Sequence, residues 1–163
     1  MHMQAKNLFI TQRIPADLPQ VWDFFSSPAN LAAITPAELR FTVLSEPFQG
    51  DSAYEGQIIE YTVRPLARIP IYWMTEITHV RSLEYFVDEQ RIGPYRMWHH
   101  QHHFKPIPGG TEMTDIVHYS LPLGWLGSPM LPLVKKKLNE IFSYRALKTS
   151  EHFGVWKNQG ASE

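Results

Sequence analysis

The sequence predicts an α+β fold: a curved, seven-stranded antiparallel sheet, two short helices after strand 1, and a long C-terminal helix laid over the sheet. Three observations carry that reading. Apolar and polar side chains alternate with a period of two at residues 6–14 and again, in segments, from residue 40 to 121. Prolines divide residues 15–36 into short helical pieces. The chain then closes with a stretch, 132–153, that has no internal glycine or proline.

Each element has a local cause. "KNLFITQRI" sets Leu8, Ile10 and Gln12 against Phe9, Thr11 and Arg13, and Pro15 closes the strand. In "ADLPQVWDFFSSPANLAAITP", Asp17 is a cap, Pro19 suits a first turn, and Val21, Trp22, Phe24 and Phe25 form the apolar side. Pro28 restarts the chain, Leu31 and Ile34 form a second apolar side, and Pro36 ends it. Six strands follow: "RFTVLSE", "QIIEYTVR", "IPIYWMTEITHV", "LEYFVDEQ", "MWHHQHHFKPI" and "TEMTDIVHYSLPL". Short links such as "IGPYR" and "PGG" make them an antiparallel meander. "GWLGSPMLP" breaks the pattern. Beyond it Val134, Leu138, Ile141, Phe142, Ala146 and Phe153 recur at helical spacing, with Gly154 as the terminal cap. A long sheet with one apolar face needs a cover, and this helix is the candidate long enough to supply it.

At 163 residues the chain is expected to form a single domain over 1–163, with 155–163 as a frayed tail. Aromatic residues make up 13%, which suits a dense core or a large apolar pocket. A formal charge of −1 gives no basic face for nucleic acid. Zero cysteines exclude disulfides, thiolate catalysis and cysteine-based zinc sites. With no signal-like start and no membrane-length apolar run, the expected location is cytoplasmic. No phosphate-binding glycine loop, nucleophile elbow or zinc-protease helix is present, and no cofactor is expected.

The element order resembles the SRPBCC superfamily: START-type lipid-transfer domains, birch-pollen-allergen-like proteins and polyketide cyclases. Three segments carry the resemblance: "IPADLPQVWDFFSSPANLAAITP", "GPYRMWHHQHHFKPIPGGTEMTDIVHYSLPLG" and "IFSYR". It implies a helix-grip fold with an elongated apolar cavity under the C-terminal helix. The superfamily contains carriers, receptors and some enzymes, so the resemblance implies fold more than function, and it brings no universal catalytic motif.

The densest chemical signal is "MWHHQHHF", four histidines within residues 99–103. On a strand, Trp98, His100, His102 and Phe104 share one face; Met97, His99, Gln101 and His103 share the other. The first set carries the bulky aromatics and is expected inside, with His99 and His103 facing solvent. The following strand turns Met113, Asp115, Val117 and Tyr119 inward, which leaves Asp115 a carboxylate among apolar neighbours. If Phe104 faces Met113, Asp115 faces His102; a register shift of two puts it against His100. Three readings stay open: a structural polar pair, a pair that also lines a cavity and orients a ligand or serves as acid and base, and a metal site. No metal is expected, because His99 and His103 stand roughly 13 Å apart along a strand, and His100 with His102 fall short of a complete ligand set unless Asp115 or another residue joins.

The expected ligand-lining set is Tyr61, Trp73, Trp98, His100, His102, Phe104, Met113, Asp115, Val117, Tyr119, Leu138, Phe142 and Arg145. Glu76, Glu84, Asp88 and Glu89 are expected to be solvated, although Asp88 shares a face with Phe86. Arg145 interrupts the apolar side of the last helix, and a snorkelling surface position, an inward acid or a ligand carboxylate would each account for it. Gly124 and Gly127 sit in a loop suited to gate a cavity mouth. The leading expectation is a protein that binds or carries a small hydrophobic molecule, such as a lipid, quinone or polyketide. The alternative is a polyketide cyclase/dehydratase-like enzyme with His100 or His102 and Asp115 as acid/base pair and Tyr119 or Arg145 as donor. An interaction module without a cavity is a third class, and the oligomeric state is not legible.

Overall fold

The alternation seen in the sequence becomes two-faced strands in the computed structural model, which describes residues 5–45, 52–64, 69–122 and 129–157. Strand β1 (Lys6–Ile14) turns Leu8, Ile10 and Gln12 toward the core side and leaves Phe9 65% exposed on the other. Helix α1 (Leu18–Ser26) starts where Asp17 accepts a hydrogen bond from the Gln20 backbone N–H at 3.0 Å, satisfying one of the donors a helix start leaves open. It buries Val21 and Trp22. Helix α2 (Pro28–Leu31) is one short piece begun by proline. A single 3-10 turn, Ala37–Leu39, is an element the alternation does not announce. Its cause is tertiary: Leu39 is buried, and its carbonyl accepts the Arg64 N–H at 2.7 Å.

The remaining strands are β2 (Thr42–Val43), β3 (Ile58–Val63), β4 (Ile71–Arg81), β5 (Tyr85–Ile92), β6 (Met97–Ile107) and β7 (Gly110–Ser120). They form one seven-stranded sheet in the order β1-β7-β6-β5-β4-β3-β2, with every neighbouring pair antiparallel. The first strand therefore closes against the last, and α1 and α2 lie in the connection between the two edges. Register slips occur in the β4–β5 pair, at Met74/Thr75 and Ile77/His79, whereas β6 and β7 pair without interruption from Met97–Ser120 to Ile107–Gly110. Gly110 is required at the start of β7: a Cβ there would lie 2.0 Å from the Ile14 carbonyl oxygen.

Helix α3 (Leu131–Phe153) faces the sheet with Leu138, Phe142 and Thr149. It is tied to β1 by the Gln12 side-chain amide, which donates to the Ala146 carbonyl at 2.9 Å. Gly154, at φ 97°, caps it by donating to the Ser150 carbonyl. The arrangement is the helix-grip fold. Its core divides into two clusters, one around Ile14, Trp22, Phe86 and Phe104, the other around Val117, Tyr119, Leu138 and Phe142. Among the described residues no helix is long and apolar enough to cross a membrane. The glycines 124 and 127 of the expected gate, and the tail beyond residue 157, lie outside the described residues.

Candidate functional site

Parity along β6 decides which imidazoles enter the molecule. His100 and His102 are 4% and 6% exposed, between inward Trp98 and Phe104. The neighbouring strands supply an acid on each side: Asp88 of β5 stands opposite His100, and Asp115 of β7 stands opposite His102. The two acids are thus staggered across β6, and each reaches both rings. His100 Nε2 meets Asp115 Oδ1 at 2.9 Å and its Nδ1 meets Asp88 Oδ2 at 3.2 Å. His102 Nε2 meets the same Asp88 oxygen at 2.7 Å. Its Nδ1 lies 3.1 Å from Asp115 Oδ1 but out of line for a hydrogen bond. The remaining oxygen of Asp88 accepts from Trp98 Nε1–H at 3.3 Å.

Aromatic packing fixes the rings. Phe86 stacks on His102 at 4.1 Å, the imidazole centroids are 3.8 Å apart, and Phe142 from α3 meets His100 edge-on at 5.6 Å. Asp88 is therefore part of the buried cluster and not a solvated acid. The inward parity it shares with Phe86 outweighs its polarity because β6 places two imidazoles within its reach.

Electrostatics follow from this closure. Burial pulls the His100 imidazolium down, but the Asp88 charge and the hydrogen bonds to Asp115 and Asp88 outweigh it and push the pKa up to about 9. Burial raises Asp88, yet the charge and hydrogen bond of His100, then those of His102, hold its carboxyl well below the usual carboxylate range. Asp115 is held down in the same way, chiefly by the hydrogen bond from His100 and the close contact of His102. At neutral pH His100 is a cation between two carboxylates.

The opposite face of β6 carries a polar ladder. His99 Nδ1 contacts Glu89 at 2.8 Å, and Gln101 bridges His99 and His103 at 3.0 and 2.9 Å. His99 and His103 are on the outer side of the sheet as parity requires, half-buried by these neighbours. Glu76 and Glu89 pair there with Arg91, and Glu84 with Arg81.

Under α3 lies a cavity of about 440 Å³, walled by side chains of α1, α2, β3 to β6 and α3. Of the residues expected on its wall, Tyr61, Trp73, Trp98, His100, His102, Leu138, Phe142 and Arg145 are there. Phe104, Met113, Asp115, Val117 and Tyr119 are packed in the core instead, Asp115 behind the two imidazoles. β7 is covered by packed side chains of α1 and α3, so the open space shifts toward β3, β4 and β5. Residues outside the expected set, including Phe24 and Phe25 of α1, Thr75 and Asp88, complete the wall. The apolar side of α1 and the face shared with Phe86 are the signals that pointed to them.

Polar groups on the wall differ in how well they are satisfied. The Tyr61 hydroxyl bonds Thr75 at 3.1 Å, and burial raises its pKa, so it is a neutral phenol. Trp73 Nε1 and Arg145 Nε are buried without a hydrogen-bond partner. Asp88, His100 and His102 each offer one ligand atom, all within 4.8 Å of one another. The two imidazoles thus gain in Asp88 the third donor that β6 alone lacks, a set of the type that suits zinc or a transition metal.

No family profile matches the chain, and no curated protein sequence matches it. Solved structures do. A protein from Chromobacterium violaceum superposes with a TM-score of 0.70 at 10% identity, covering 92% of this chain and 98% of that one. A protein from Arthrobacter aurescens gives 0.68 at 14% identity, covering 99% and 96%. The major latex-like protein 151 of Panax ginseng gives 0.66 at 12% identity, covering 91% and 97%. The likeness is one of fold. It agrees with the helix-grip architecture that the sequence order implies.

Proposed function

We propose that the protein binds a small, predominantly hydrophobic molecule in the cavity beneath α3. The observation that carries this reading is the cavity itself: about 440 Å³ of space inside the fold, walled mainly by aromatic and aliphatic side chains with a few polar groups among them. Binding sites for drug-sized molecules combine those two properties, the apolar wall giving affinity and the polar groups giving orientation. Native mass spectrometry of the protein incubated with fatty acids, sterols, quinones and aromatic polyketides tests the reading. A retained, exchangeable one-to-one adduct is expected; a panel that leaves the protein bare contradicts it.

One arrangement favours a second reading, a cyclase- or dehydratase-like enzyme. His100 lies on the cavity wall and Asp115 holds it from behind, which is the relation of a proton-transferring ring to the acid that orients it. With a pKa pushed up to about 9, His100 enters such a reaction as an acid and not as the base, giving up the Nδ1 proton it shares with Asp88, the carboxylate beside it on the cavity wall. Under this reading Asp115→Asn lowers turnover far more than ligand affinity. Equal effects on both return the cluster to a binding role.

A further inference from the structure

Among the charged groups of the cavity wall, Arg145 stands apart. Asp88, His100 and His102 contact one another as described above. Lys137 is paired with Glu140 at 3.3 Å. Arg145 has no acid partner among the described residues; its guanidinium lies 5.0 Å over the Phe142 ring, and its Nε is buried without a hydrogen-bond acceptor. A cation over an aromatic face gains some stabilisation, but its Nε–H remains unfilled. Burying an arginine nitrogen beside an apolar cavity without an acceptor is unfavourable, and a ligand that brings an acceptor relieves it.

We infer that the cavity's ligand is an amphiphile with a carboxylate, received by the Arg145 guanidinium while its apolar body fills the space toward β3 and β4. The inference rests on the hydrophobic-ligand reading above and narrows it. A guanidinium fork matches the two oxygens of a carboxylate. A single negative charge also suits the wall better than a doubly charged phosphate, because Asp88 lines the same cavity and repels further negative charge. Trp73 Nε1, also unpartnered, is a second donor that a small rotation of its ring would offer to the same head group.

The experiment compares cis-parinaric acid with its methyl ester, two probes of nearly the same apolar body that differ in charge, by fluorescence titration of the wild-type protein and of Arg145→Met. The wild type is expected to bind the acid about tenfold to a hundredfold more tightly than the ester, as a charge-assisted hydrogen bond implies. Arg145→Met should bring the two within about twofold by weakening the acid alone. Equal wild-type affinity for acid and ester overturns the inference and leaves hydrophobic binding standing. A variant that weakens both probes alike also overturns it. Binding of neither probe removes the hydrophobic-ligand reading and the inference together. The wild-type comparison decides even if the variant does not fold.

Discussion

At the scale of single residues, the closed contacts of Asp88, His100, His102 and Asp115 set both the stability and the pH response of the protein. His100 is the group whose titration is shifted into an accessible range. Its folded pKa, about 9, lies above the ordinary histidine value of 6.5, so folding favours its protonated form. That contribution is complete below about pH 6.5 and is lost as pH rises through about 9. Asp88 and Asp115 are shifted the other way, and theirs is present above the ordinary carboxylate value of 3.8 and is lost as pH falls through their depressed folded values. His103 is lowered by burial and then by His102, so it titrates below the alkaline window and does not mask it. Chemical denaturation of the wild type should therefore show stability falling between pH 6.5 and about 9, and His100→Gln should lack that decline. An equal slope in both proteins would assign the decline to another group. Asp115→Ala strands the His100 Nε2–H inside the fold and should cost on the order of 3 kcal/mol. His103→Ala, on the outer face with the Gln101 contact and the Tyr85 ring to lose, should stay within about 0.5 kcal/mol by the same measurement.

At the scale of elements, what is legible in the sequence is whatever depends on periodicity alone. The parity of β6 can be read because its pairing with β7 has no register slip, so alternation survives the whole hairpin. The Asp17 cap and the Gly154 stop can be read because each satisfies backbone groups within its own helix. Asp88 cannot be placed so simply, since its burial depends on partners from another strand and not on its own neighbours. The 3-10 turn at Ala37–Leu39 is equally non-local, held by the Arg64 backbone, and the strand expected at residues 40–46 shortens to the two residues of β2 that pair with Tyr61 and Thr62. Gly110 shows how tight these junctions are. Replacing it with alanine sets a Cβ against the Ile14 carbonyl, and the melting temperature should fall by several degrees, a loss of about 2 kcal/mol or more. An unchanged melting curve would mean that the β1 end moves aside without cost.

At the scale of the whole molecule, the fold places a packed β1–β7 side next to an open β3–β5 side, and α3 spans both. The sequence order predicts the helix over the sheet but not where side chains stop filling the space beneath it. That depends on the summed shapes of residues far apart in the chain, such as Phe24, Tyr61, Trp73 and Phe142. The central claim is that the remaining space is a binding site. Titration with 1-aminoanthracene, a neutral apolar fluorophore, tests it in the wild type and in Val63→Trp, which sets an indole into the cavity from β3. The wild type should show saturable fluorescence enhancement with one site per chain, and the variant should lose it while keeping a cooperative melting transition. No saturable enhancement in the wild type, or the same enhancement in both proteins, would contradict the claim.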